Sequence, residues 1–262
     1  MGNNTLLETT GLHRFFGGLH AVNDVSIKVS AGSIKGIIGP NGAGKTTLFN
    51  LIAGTLLPNG GQVIFKDRKI TAMKAHTIAS MGIARTFQTT KLFGRMTVLE
   101  NVMMGRHSRT RSGFFAGMLN LPRTWREDRH TRDKAFEILN DMGLVSHAGD
   151  TASNLPFGKQ RLIEFARALA MEPQLLLLDE PAAGLNIYET KELAKLILWI
   201  RDRGVTCLVV EHDMSLVMAI CDDVVVLDQG QKIAEGPPRA IQRDPDVIRI
   251  YLGCDDAQNS QS

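Results

Sequence analysis

The stretch Gly39-Pro40-Asn41-Gly42-Ala43-Gly44-Lys45-Thr46-Thr47 fills every position of a GxxxxGK[ST] pattern directly after the expected strand Ile34–Ile38. These residue types at this spacing suit a polyphosphate. Glycines let the backbone wrap the phosphates, and N–H groups at the start of the following helix donate to their oxygens. The Lys45 ammonium is placed for the β- and γ-phosphates, and the Thr46 hydroxyl for a bound Mg²⁺. A second piece of the same chemistry lies far along the chain, in Leu175-Leu176-Leu177-Leu178-Asp179-Glu180-Pro181. An apolar strand there delivers the Asp179 carboxylate to a sheet edge, beside the phosphates, as a ligand for Mg²⁺. Glu180 follows it and is set to orient a water for in-line attack on the γ-phosphate.

Such groups need a rigid sheet edge behind them. Ile34–Ile38, Val63–Phe65, Leu175–Leu178, Cys207–Val210 and Val224–Leu227 read as strands, several of them apolar on both faces as in a covered α/β sheet. Between them run helix-length segments. Leu48–Ala53 follows the phosphate loop, and Gln160–Met171 follows a Gly-containing turn. Thr131–Met142 is closed by Gly143. In Glu189–Arg203, residues Leu193, Leu196, Ile197 and Ile200 share one face and Gly204 stops the helix. The region from Gly105 to Arg126 mixes Arg, Gly and aromatics without a clean period. The expected organisation is one α/β domain over residues 6–253, with an inserted, mostly helical subdomain at about 89–170 and a frayed tail at 254–262.

Composition excludes several classes. With 30 Lys+Arg against 27 Asp+Glu the formal charge is only +3, which argues against a dedicated nucleic-acid binder, so no nucleic-acid partner is expected. A hydrophobic share of 44% and a charged share of 22% are ordinary globular values, not those of a disordered chain. Cys207, Cys221 and Cys254 form no CxxC pair, which predicts a reducing compartment. The N-terminal residues have no apolar signal core, and no apolar run approaches the ~20 residues of a membrane span. The positive excess is local: residues 106–134 hold eight basic side chains, from Arg106 to Lys134, against three acidic ones. With Phe114, Phe115, Met118 and Leu121 interleaved, that segment is expected to face a membrane protein near anionic head groups.

Taken together, these motifs resemble the ATP-binding cassette (ABC) ATPases, over about residues 6 to 253. The resemblance implies an α/β fold: a P-loop NTPase core with a mixed or parallel sheet, an antiparallel β subdomain and an inserted α-helical subdomain. It also implies ATP and Mg²⁺ as cofactors. Gly39, Pro40, Asn41, Gly42, Ala43, Gly44, Lys45, Thr46 and Thr47 then form the nucleotide loop, with Glu180 as catalytic glutamate and Asp179 and Thr46 as Mg²⁺ ligands. Gln88 matches the glutamine loop, a catalytic and metal-contacting residue whose flank touches the transmembrane partner. His212, in Glu211-His212-Asp213-Met214, matches the switch histidine that contacts the γ-phosphate. Phe16 matches the aromatic that stacks on adenine, with Phe15 the alternative. Leu155-Pro156-Phe157-Gly158-Lys159-Gln160-Arg161 stands at the signature motif, which serves the partner's nucleotide through Gly158 and Gln160. Pro156 replaces the usual Ser there, and Asn186 replaces the usual Asp of the D-loop Ala183-Gly184-Leu185-Asn186. The site built on Lys45 is therefore expected to do most of the hydrolysis in an asymmetric head-to-tail pair.

Longer stretches narrow the family: GIARTFQTTKLFGRMTVLENVMMG, DEPAAGLN, EHDMSLVM and DPDVIRIYLG resemble the ATPase subunits of branched-chain amino acid importers. Ile187 stands where Pro usually follows AGLN. The partners so implied are a second ABC ATPase, two transmembrane permease subunits and, indirectly, an external solute-binding protein, with the chain peripheral on the cytoplasmic face of the membrane. The rival readings are a soluble non-transport cassette ATPase, of the iron–sulfur assembly kind, and the ATPase of another transport system.

Overall fold

The computed structural model describes residues 4–86, 92–106 and 122–251. The chain divides into two compact units, one formed by the residues up to Ile78 together with those from Gln174 onward, the other by Ala79–Pro173.

The first unit opens with two long strands, β1 (Thr5–Phe16) and β2 (Leu19–Ser30), paired antiparallel with bulges along β1. Alternate side chains such as Leu7, Val25, Ile27 and Val29 are buried, as expected of strands with one covered face. After β3 (Ile34–Ile38) and α1 (Lys45–Ile52), the short strands β4 (Gly60–Phe65) and β5 (Arg68–Lys69) complete a four-stranded antiparallel sheet in the order β2-β1-β4-β5.

Helix α2 (Ala75–Ser80) and strand β6 (Ile83–Arg85) lead into the second unit, built on α3 (Val98–Arg106), α4 (Pro122–Asp141) and α5 (Phe157–Leu169). Val98, Val102, Leu139, Leu144, Ile163 and Ala166 are buried together in its core. Arg106 does not join a solvated basic face: it is buried and its Nη1 donates to Glu172 at 2.7 Å. Arg109, Arg111 and the aromatics of the 110s lie outside the described residues.

The chain then returns to the first unit through β7 (Leu175–Asp179), α6 (Ile187–Asp202), β8 (Thr206–Val210), α7 (Met214–Ile220), β9 (Asp223–Asp228), β10 (Gln231–Gly236) and the short α8 (Pro238–Ile241). Here the strand order is β10-β9-β3-β8-β7, parallel throughout except for β10. Every residue of β3, β7 and β8 is buried, which explains their mostly apolar sequences; Lys35, a charge within β3, is paired with Asp223 and Glu235. Parallel pairing sends all the C-terminal ends to one edge, so the loops after β3, β7 and β8 open side by side. Among the described residues no helix is long and apolar enough to cross a membrane.

Candidate active site

The loop after β3 is held open by its glycines. Gly39 and Gly44 have φ of 147° and 96°, and a Cβ on either would stand 2.0 Å from the Leu227 carbonyl oxygen or 2.2 Å from that of Ala21. Only a hydrogen fits where the loop passes the backbone of β9 and β2. The same neighbours fix it from outside: the Gly230 N–H donates to Ala43 O at 3.1 Å, and the Asn23 N–H to Gly230 O at 2.8 Å. Helix α1 starts at Lys45 with Gly44 as N-cap and no side-chain cap, so its first-turn amides are left to an anion.

Lys45 is buried, and its Nζ donates to Gly39 O at 2.7 Å and Pro40 O at 2.9 Å. Burial pushes its pKa below the usual lysine value; the Glu180 carboxylate, then that of Asp179, act against this. Both carboxylates thus lie within electrostatic reach of the ammonium. Asp179, the last residue of β7, is buried, whereas Glu180 is half-buried and borders the cleft. Glu180 takes the left-handed backbone, φ 46°, unusual for a side chain of its size and typical of a functional turn.

Lys45 and Glu180 border a cleft of about 670 Å³ lined by Phe16, the loop residues Asn41 to Thr47 and Glu180, together with Leu19, His20, Ala21 and Gln229. Phe16 is exposed at its mouth with the Arg14 guanidinium 4.7 Å from its ring centroid; Phe15 turns instead against His20, at 4.4 Å. His20 and Gln229 belong to no motif. Gln229 sits at the β9–β10 turn with φ 44°, and the only sequence sign of it is an Asp-Gln-Gly turn after an apolar strand. Thr46 and Asp179 supply hydroxyl and carboxylate oxygens, the donor types that a hard Mg²⁺ takes.

His212 follows β8 at the same sheet edge, with its side chain 62% exposed and Nδ1 3.8 Å from Glu211 Oε2. Asp213 next to it caps α7, accepting from the N–H groups of Ser215 and Leu216. The D-loop Asn186 caps α6 in a full capping box with Glu189, work an Asn does as well as an Asp. Ile187 follows at the first helical position, 79% exposed, where a proline is also well tolerated.

In the second unit, Pro156 caps α5 without offering a donor, and its carbonyl accepts from Gln160 N at 3.0 Å. The Gln160 side-chain amide donates to Leu155 O and Ser153 O, so its protons are engaged within its own segment. Gly158 lies in the first turn of that helix. Lys159 Nζ is 2.6 Å from His147 Nε2, whose Nδ1 is 2.6 Å from Asp150 Oδ2. Gln88 lies outside the described residues.

Residues 22–183 match the profile of the family described as ABC transporter, and residues 231–256 that described as branched-chain amino acid ATP-binding cassette transporter. The chain is 46% identical to the "High-affinity branched-chain amino acid transport ATP-binding protein LivG" of Salmonella typhimurium over 249 residues, 95% of this chain and 98% of the relative. It is 43% identical to BraF of Pseudomonas aeruginosa, a protein of the same description, over 249 residues with the same coverage. The crystal structure of the ADP conformation of an ATP-binding cassette of an ABC transporter matches it with a TM-score of 0.84 at 33% identity, covering 96% of this chain and 100% of that one. Fold, cleft and likeness along nearly the whole length agree, and the chain belongs to the ABC transporter family of ATP-binding cassette ATPases.

Proposed function

We propose that this chain is the ATP-hydrolysing subunit of an importer for branched-chain or related amino acids, acting at the cytoplasmic face of the membrane through partner permeases. The observation that carries the hydrolytic part is the meeting of Lys45 and Glu180 at one open cleft beside the uncapped start of α1, with the buried Asp179 carboxylate in electrostatic reach of the same ammonium. Adenine stacks on Phe16 and the triphosphate lies along Gly39–Thr47. The Lys45 ammonium has three protons; two go to the carbonyls of Gly39 and Pro40, and the third is free for a phosphate oxygen. Glu180 orients the attacking water, and His212 contacts the γ-phosphate. Thr46 and Asp179 would hold Mg²⁺, whose charge neutralises the β- and γ-oxygens when it is bound. The chemistry is positioning and charge neutralisation, with no covalent enzyme intermediate.

The segment 79–173 forms the helical subdomain inserted into an ATPase domain that spans about 6–253. The second ATPase lies head to tail across the nucleotide, and Gly158 and Gln160 serve the partner's site. A proline at 156 gives that site neither a hydroxyl nor an N–H, so hydrolysis is weighted toward the site built on Lys45. The cargo assignment rests on the descriptions of the relatives and on the match over residues 231–256. An external solute-binding protein delivers the amino acid to the permeases.

The test is uptake of labelled leucine into vesicles carrying the reconstituted transporter, with ATP turnover measured in parallel. Glu180→Gln is expected to lower both by at least ~100-fold, the usual worth of a positioned general base. ATP turnover without leucine uptake would refute the cargo, and leucine uptake that does not depend on ATP would refute the coupling. Equal loss from the matching substitution in the partner ATPase would refute the asymmetry.

A further inference from the structure

Glu211 precedes the motif histidine without a role of its own, yet it is fully buried at the end of β8, where its own N–H donates to Ile37 O at 3.2 Å. Its carboxylate serves two separate segments. Oε1 accepts from the Ala182 N–H at 2.8 Å, and Oε2 accepts from the N–H groups of His212, at 3.0 Å, and Asp213, at 3.3 Å. Ala182 lies in the tight turn that carries Glu180, closed by Ala183 N–H to Glu180 O at 3.1 Å and tied to β8 by Glu180 N–H to Val210 O at 2.9 Å.

We propose that Glu211 is a positioning residue for ATP hydrolysis, holding the Glu180 turn and the His212 loop in register on one buried carboxylate. The proposal rests on the roles assigned above to Glu180 and His212. Three features support it. Glu180 takes a strained left-handed backbone, and such a residue persists only where its surroundings over-determine it; the bond to Ala182 is one of those restraints. His212 is anchored on both sides, its own N–H on Glu211 and the next residue on the start of α7, so the backbone under its exposed ring is fixed. Finally, three donors from two segments need two acceptor atoms. A glutamine has the right length but only one such oxygen, and would turn its NH₂ group toward an N–H. An aspartate keeps both oxygens but draws them back by one methylene.

A purely structural glutamate would affect folding without favouring the chemical step, so the test separates turnover from binding. In the full transporter complex, ATP turnover, ATP affinity and the melting temperature are measured for Glu211→Gln, Glu211→Asp, Glu180→Gln, His212→Ala and the double variant Glu211→Gln/His212→Ala. Glu211→Gln is expected to lower kcat at least ~10-fold while KM for ATP moves by less than ~3-fold, with Glu211→Asp in between. The double variant should fall no more than ~2-fold below His212→Ala alone, because residues that act as a unit are not additive. Turnover within ~2-fold of the parent for both Glu211 variants would overturn the proposal. So would losses that multiply with His212→Ala or that follow affinity and melting in parallel. Should Glu211→Gln not assemble, Glu211→Asp decides by the same split. If Glu180→Gln and His212→Ala leave turnover intact, the underlying roles fall and this one with them; if those two cut it and Glu211→Gln does not, only the role of Glu211 falls.

Discussion

Replacing Gly44 by alanine separates two reasons for a glycine in the phosphate loop. At Gly44, φ is 96° and a Cβ would stand 2.2 Å from the Ala21 carbonyl oxygen and 3.4 Å from Gly230 Cα. A carbon keeps about 3.3 Å or more from a carbonyl oxygen, so loop and strand must part by about 1 Å. Gly42 has nearly the same backbone strain, φ 83°, but nothing lies within 4 Å of its Cβ direction. Left-handed backbone costs an L-residue ~1–2 kcal/mol, which at Gly42→Ala weakens nucleotide binding about 5- to 30-fold as the loop pays to regain its shape. Gly44→Ala adds the displacement, which pulls the phosphate-binding amides out of place and so weakens binding further than Gly42→Ala does. Gly18, with ordinary φ and open space around it, is the neutral control. Fluorescence titration of the purified variants with ATP reads the affinities, and melting without nucleotide checks the fold. Equal affinities for Gly42→Ala and Gly44→Ala would refute the reasoning, because they would make the contact with β2 irrelevant.

Three further outcomes follow from the same structure. Phe16→Ala is expected to weaken ATP binding by ~1–2 kcal/mol, about 5- to 30-fold, while Phe16→Tyr keeps it, since any aromatic face serves for stacking; equilibrium binding decides. Glu164→Ala should destabilise the protein by ~3–5 kcal/mol, because it leaves the Arg161 guanidinium buried without the carboxylate that holds it at 2.9 Å; denaturant unfolding measures it. Burial pushes the thiols of Cys207 and Cys221 up to about 12, so at pH 8 only ~10⁻⁴ of each is thiolate. Peptide mapping after alkylation should find both unmodified in the native protein and labelled once it is denatured.

What could be read from the sequence depended on where each signal was encoded. Strands β7, β8 and β9 stood out because both faces are covered, so their apolar runs are unbroken and their ends clear, and β3 stood out despite Lys35 because the phosphate loop follows it. The hairpin β1–β2 did not, because its long strands alternate buried and half-exposed residues and carry bulges that shift the period. Helix starts were read late for a related reason. Apolar spacing places α6 from Glu189, but the helix starts at Ile187, where Asn186 and Glu189 close a capping box; α5 likewise starts at Phe157 behind Pro156, not at Gln160. The basic excess around Arg106 was a sum over side chains, and a sum cannot show that Arg106 is buried against Glu172.

The candidate site divides in the same manner. Gly39–Thr47, Asp179 and Glu180 are legible because each lies in a contiguous motif whose own backbone does the binding or ends a strand. Gln229 and Glu211 are not, since main-chain groups of distant segments meet Glu211 and the neighbour of Gln229. Gly230, beside Gln229, bonds the carbonyl of Ala43, and Glu211 bonds the amide of Ala182, 29 residues away. Every residue but proline carries such an amide, so no residue type at position 182 announces the bond. A carboxylate buried at a strand end beside a motif histidine is the one trace it leaves in the chain. Burial of that group is costly unless its oxygens are satisfied. Here the donors that satisfy it come from the two loops on which the reaction depends, which makes Glu211 part of the site's geometry and not only of its core.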